Sequence, residues 1–122
     1  MSLAIELGPG EKLYVVGGSI QVSERTGLEI HGSFPCLRER MYMPAAGAET
    51  PLALLYVEVQ TAYIGNTEEQ RATAMARLDD RFLVATQDSR WYRHALLGSA
   101  ADAVTAGNLF RALQILKNLL SA

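Results

Sequence analysis

The sequence predicts an α+β chain: a small N-terminal antiparallel β unit of four to five short strands (residues 1–46), packed against a C-terminal bundle of three to four helices (residues 50–121). Three observations lead there. Apolar residues alternate along the first part of the chain and recur every three or four positions in the second. The alternating runs are joined by short Gly-rich turns, which leave no room for the long crossovers that parallel strands need. Between the two patterns stands Thr50-Pro51, where Thr suits the N-cap and Pro the first helical position, whose N–H would be unpaired in any case. At 122 residues the two units fit a single domain with a shared core.

Leu3, Ile5 and Leu7 alternate with Ala4 and Glu6, a strand with one buried face. Gly8-Pro9-Gly10-Glu11 is a turn, because Pro presets one dihedral and Gly accepts positive φ. Leu13 to Val16 gives a second strand, ended by Gly17-Gly18. Ile20 and Val22 mark a third, and Leu28 and Ile30 alternate with Glu29 and His31 in a fourth. Cys36 to Met43 suggests a fifth, although Leu37-Arg38-Glu39-Arg40-Met41 also suits a helical turn.

Beyond Pro51, Leu52, Leu55, Tyr56, Val59 and Tyr63 form one apolar stripe, read as a packing or partner face, and Gly65-Asn66 ends the helix. Thr67-Glu68-Glu69-Gln70 is a capping box for the next helix, apolar at Met75, Leu78 and Phe82 with Leu83 beside the stripe. Asp88-Ser89 breaks or kinks it. A third helix runs from about Ser89 to Ala106, with Gly98 a weak point inside. Gly107-Asn108 precedes a last helix with Leu109, Leu113, Leu116 and Leu120 on one face, broadened by Phe110 and Leu119.

The net charge of −2 means that any nucleic-acid contact comes from a local basic patch rather than from the field of the whole molecule. Neither half is a basic arm: residues 1–45 hold four cations against five carboxylates. Cys36 is the sole cysteine, which excludes an intrachain disulfide and fits a reducing compartment. The first residues lack a signal-peptide pattern, and no apolar run approaches the roughly 20 residues of a membrane helix. The expected setting is cytoplasmic, with no membrane contact.

Catalysis needs a cluster of reactive groups, and the sequence offers isolated ones. His31 and His94 are far apart and share no ligand spacing with Cys36, so they read as surface or strand residues rather than metal ligands. Asp79 and Asp80 point apart on a helix and make a poor acid–base pair. Gly8-Pro9-Gly10-Glu11-Lys12 lacks the phosphate-loop spacing and no helix follows it. No enzyme activity, cofactor or metal is expected.

Two groups of residues suit RNA. Arg38 and Arg40 share a face if their segment is a strand, with Tyr42 next in line, and Lys12 and Arg25 can join them from other strands or loops. Arg90-Trp91-Tyr92-Arg93-His94 forms a second patch, with Arg90 and Arg93 on one helix face beside Trp91. Cations beside stackable rings suit single-stranded RNA, whose bases stack while its phosphates are neutralised. For Arg38 and Arg40, salt bridges to neighbours such as Glu39 or Glu29 are an equal alternative. For Trp91, packing between two solvated arginines is the stronger reading.

The order of features resembles the FlbT family of flagellum-biosynthesis regulators. The matching residues are Leu3-x-Ile5-x-Leu7-x-Pro9-Gly10-Glu11, Gly18-x-Ile20, Leu37-Arg38-Glu39, and Thr50-Pro51 with Leu55-Tyr56-x-x-x-Gln60-x-x-Tyr63. Gly107-Asn108-Leu109-Phe110-x-Ala112-Leu113, followed by Leu116 and Leu119-Leu120, is similar to the family's last helix. The resemblance implies a post-transcriptional regulator that associates with the 5′ untranslated region of flagellin mRNA and typically represses flagellin synthesis. It also implies a link to flagellin and to the export factor FlaF. One departure is visible: the family often carries basic residues just after Thr-Pro, whereas Leu52 to Leu55 is wholly apolar here. The alternative role is a protein-binding adaptor or chaperone partner of flagellin or FlaF without RNA contact. Spare apolar helix surface in so short a chain also allows a homo-oligomer.

Overall fold

Alternation in the N-terminal part becomes two small antiparallel sheets in the structure, a computed structural model that describes residues 2–32, 34–88 and 91–121, with only the backbone of residues 2 and 91–93. The strands among these residues are β1 (Ser2–Leu7), β2 (Lys12–Val15), β3 (Gly18–Gln21), β4 (Thr26–His31) and β5 (Cys36–Arg38). β1 pairs with β4, from Ser2 opposite His31 to Leu7 opposite Thr26. In the second sheet β2 lies between β3 and β5, with Leu13 opposite both Ile20 and Arg38. Gly17 closes the β2–β3 turn at φ +88°, a left-handed conformation that favours glycine.

The period of two gives β2 and β5 different work on their two faces. Leu13, Val15 and Cys36 join Ile5, Leu7, Val22, Leu28 and Ile30 in a small cluster between the sheets. Tyr14 and Leu37 face the other way and join the helical core. Leu37 is fully buried there, a burial worth roughly 1.5–3 kcal/mol. The β2–β5 pair is therefore the middle layer, with the β1–β4 sheet on one side and the helices on the other. Leu3, expected in the buried stripe of the first strand, lies outside the cluster and is half exposed.

The fifth strand is shorter than the Cys36 to Met43 expectation. It stops at Arg38, and Glu39–Met41 forms a 3-10 turn in which the Tyr42 N–H donates to the Glu39 carbonyl at 3.1 Å. Residues 41–43 then fasten to the helical unit instead of to a strand. The Tyr56 hydroxyl donates to the Met41 carbonyl at 2.5 Å. Gln60 accepts from the Met43 N–H through Oε1 and donates to the Met43 carbonyl through Nε2, both at 2.8 Å. Burial pushes the Tyr56 phenol up to about 12, so it stays a neutral donor.

The helical part comprises α1 (Pro51–Ile64), α2 (Glu68–Asp88), α3 (Trp91–Thr105) and α4 (Leu109–Ser121). Thr50 caps α1, its Oγ1 accepting from the Ala53 N–H at 3.1 Å, with Pro51 at the first position. α1 packs between α2 and α4, and α3 packs on α4. The stripe of Leu52, Leu55, Tyr56 and Val59 is buried in this core, and Tyr63 packs against it. Burial extends well beyond that stripe to Ala53, Ala62 and Ile64, and it takes in Glu58 and Gln60 as well. Arg81 of α2 answers Glu58 with its Nε 3.3 Å from Oε1.

Thr67 caps α2, accepting from the Gln70 N–H at 3.0 Å, while Gln70 Oε1 takes the Asn66 N–H rather than that of the cap residue. On α2 the small residues Ala74 and Ala85 are buried with Leu78, whereas Met75 and Leu83 are 44% and 57% exposed. α1 approaches closely enough that alanine fills the contact. At the far end Gly107, at φ +80°, closes α3 by donating to the Val104 carbonyl, and Asn108 caps α4 by accepting from the Arg111 N–H at 3.0 Å. Phe110, expected to broaden the α4 face, is 38% exposed and meets Tyr63 in a tilted contact with centroids 6.2 Å apart.

Replacing Gln60 tests the join between strands and helices. Gln60→Ala leaves the Met43 N–H and C=O without partners in a part-buried setting, and the expected loss is roughly 1–3 kcal/mol of unfolding free energy. Urea denaturation measures it; a loss below about 1 kcal/mol would show that the pairing with Met43 is not a main support.

Candidate nucleic-acid interface

The proposed RNA cations on the β unit do different things. Arg38 ends β5 on the face that carries Cys36, and its Nη2 donates to the Glu6 carbonyl at 2.9 Å and meets both Glu11 carboxylate oxygens at 3.4 Å. Its Nε is buried without a hydrogen-bond partner among the described residues. Glu11 in turn accepts from the Gly8 N–H at 3.1 Å, closing the β1–β2 turn. Arg38 thus clamps β5 to β1 and to the start of β2. Its carboxylate partner is Glu11, on the neighbouring strand edge, rather than Glu39 or Glu29.

Arg25 pairs with Glu6 at 2.7 Å, and both side chains are largely exposed. Such a pair contributes little to stability and opens readily to another anion. Lys12 and Arg40 have no carboxylate within 4.0 Å among the described residues. They do not form a strand face with Arg38, because the strand ends there and Arg40 lies in the 3-10 turn. They nonetheless sit at the same edge: the turn stays against β2, and Arg40 is close enough to act on Glu11. Of the second patch, Arg90 lies outside the described residues, and Trp91 and Arg93 contribute only their backbone, at the start of α3.

The Gly8 N–H is the main influence that holds the Glu11 carboxyl below its ordinary 4.5; burial opposes it, and Arg38 and then Arg40 add to the lowering. Nothing else among the described residues resembles a reactive centre. No group of three metal-ligating side chains occurs among them, and His31 is exposed with Glu29 at 3.7 Å. Burial raises the Cys36 thiol, which disfavours the nucleophilic thiolate. No helix among the described residues is long and apolar enough to cross a membrane.

Two groups escaped the sequence reading. Tyr14 of β2 and Tyr42 stack in parallel, with ring centroids 3.8 Å apart and planes 5° off. The pair follows from the Gln60 and Tyr56 bonds to Met43 and Met41, which fix the backbone on either side of Tyr42. Its only sequence trace was Gln60 itself, a polar residue one turn beyond Tyr56 on a mostly apolar helix. The Arg38–Glu11 contact joins residues 27 apart and has no local signature.

The clamp has a pH signature. A depressed carboxyl contributes stability above its unfolded value and loses it as pH falls through the lower folded value. The Glu11 carboxyl, followed by NMR, is therefore expected to titrate below 4.5 in the wild type and to move upward in Arg38→Ala. An unmoved titration in the variant would mean that Arg38 is not its partner in solution.

Comparison with known proteins gives one consistent answer. The family model described as flagellar protein FlbT matches residues 3–122. A protein of Bradyrhizobium diazoefficiens named probable flagellum biosynthesis repressor protein FlbT 1 is 31% identical, over 99% of this chain and 82% of its own length. Proteins with the corresponding FlbT name in Rhodopseudomonas palustris and Rhizobium leguminosarum bv. trifolii are each 29% identical, over 98% and 97% of this chain and 93% and 78% of their own lengths. No solved structure matches. With the family pattern running from the first strand through the last helix, this chain belongs to the FlbT family of flagellar proteins.

Proposed function

We propose that this protein represses flagellin synthesis after transcription, by associating in the cytoplasm with the 5′ untranslated region of flagellin mRNA. The observation that carries the reading is the family match along nearly the whole chain, to relatives named as repressors of flagellum biosynthesis. The RNA part rests on the sequence resemblance and on the local charge. Lys12 and Arg40 supply two phosphate contacts at one edge of the β unit, and Arg25 is available once its exposed pair with Glu6 opens. Arg38 positions this edge rather than touching RNA. The second patch read from the sequence, Arg90, Trp91 and Arg93, is part of the same proposal as a further RNA contact. The role is binding rather than catalysis.

A protein-binding role toward flagellin or FlaF is the second reading. It is favoured by Met75, Leu83 and Val84 on α2 and Leu96 on α3, which are large, apolar and exposed.

Titrating a flagellin leader RNA at several salt concentrations separates the two. Direct binding gives a log–log salt slope of roughly −0.7 per phosphate contact, and Lys12→Ala/Arg40→Ala is expected to flatten it by about 1.4. No binding by the wild-type protein, or binding indifferent to salt, would overturn the RNA reading. Retention of flagellin or FlaF in co-purification would then favour the second.

A further inference from the structure

The Tyr14–Tyr42 stack forms one wall of a groove of about 330 Å³, between the β2–β3 turn and the loop that joins α1 to α2. That volume falls at the lower end of the roughly 300–1,000 Å³ typical of small-ligand clefts. We propose that the groove seats one unstacked nucleobase of a single-stranded RNA, extending the tyrosine stack; the proposal deepens the RNA-binding reading above and rests on it.

Three features of the groove select this ligand. No charged side chain lines it, so what enters is neutral, as a base is, while the phosphates stay outside. Its aromatic wall is two parallel rings, and base–aromatic stacking is the main source of affinity for single strands. Its other side carries hydrogen-bonding groups suited to a base edge. The Asn66 carboxamide and the Ser19 hydroxyl are exposed and make no hydrogen bond within the described part of the chain. Gln70 Oε1 is occupied by the Asn66 N–H, so its Nε2 is the end left to donate.

The free cations are spaced to serve the same nucleotide strand. Lys12 lies two residues before Tyr14 on one face of β2, about 6.6 Å along the strand, and Arg40 lies two residues before Tyr42. Lys12 thus shares a strand face with the Tyr14 ring, and Arg40, in the 3-10 turn just before Tyr42, adds a second cation near the start of β2. The stack is also fixed before any ligand arrives, because Tyr56 and Gln60 hold the backbone on both sides of Tyr42. A preformed wall lowers the ordering cost of binding.

The experiment compares leader-RNA binding by the wild type, Tyr42→Leu and Ser19→Leu, with free adenosine and uridine monophosphates titrated separately and followed by NMR. Loss of stacking is expected to weaken RNA binding by about 5- to 100-fold while leaving the salt slope unchanged, since no phosphate contact is lost. Ser19 is an exposed residue of β3, so Ser19→Leu obstructs the groove without touching the core and decides the matter if Tyr42→Leu does not fold. Undiminished RNA binding by the folded variants would overturn the groove and leave the RNA reading standing. If the wild type binds no RNA, that reading fails, and the mononucleotides decide the groove alone. Shifts confined to Tyr14, Tyr42, Asn66 and Gln70 would keep it as a site for a free nucleotide base, and no shifts there would overturn it.

Discussion

Gln60 pairs both ends of its carboxamide with the backbone of Met43, the exchange a neighbouring strand would otherwise make. One turn earlier on the same helix, the Tyr56 hydroxyl takes the Met41 carbonyl. These side chains replace a strand partner for the segment that leaves β5 and fasten it to α1. In this part-buried setting three satisfied bonds hold the segment, and breaking them together is costly. α1 can do this only because it lies in the middle of the helical core with nearly every side buried.

The rest of the N-terminal part inherits its position from that join. Leu37 enters the helical core from β5 while its neighbours Cys36 and Arg38 face the β cluster, so one three-residue strand ties both cores together. Arg38 completes the link by reaching back to Glu6 and Glu11. Its charge is thereby answered within the molecule by Glu11, while Lys12 and Arg40 have no carboxylate within 4.0 Å among the described residues. Tyr42, held between two anchored residues, has its ring set against Tyr14. A protein with net negative charge can still present a small cationic edge to RNA if carboxylates neutralise some of its cations and not others.

Where the signal is local, the sequence is informative. The helix starts at Thr50 and Thr67, the break at Gly107-Asn108 and the alternation of the strands all depend on residues within a few positions of one another. Leu113 and Leu116 of the last helix are buried as their spacing implies. Packing over longer range is less visible. Met75 and Leu83 are more apolar than Ala74 and Ala85, yet the alanines are buried, because close helix contact selects for size. Glu58 and Gln60 look like solvent-facing residues on α1, and their partners lie in α2 and in residues 41–43. The candidate interface was legible as a set of cations but not as an arrangement. Nothing near Arg38 in the chain announces Glu11, and nothing near Tyr14 announces Tyr42.

Hydrogen exchange at the Met43 amide tests the join most directly. This N–H sits outside every helix and strand, so local secondary structure gives it no protection. If Gln60 holds it as described, it exchanges as slowly as the buried amides of α1, through the same cooperative opening. Exchange at the rate of an exposed loop amide would contradict the account, because residues 41–43 would then be free of α1 and the tyrosine wall would not be fixed in advance.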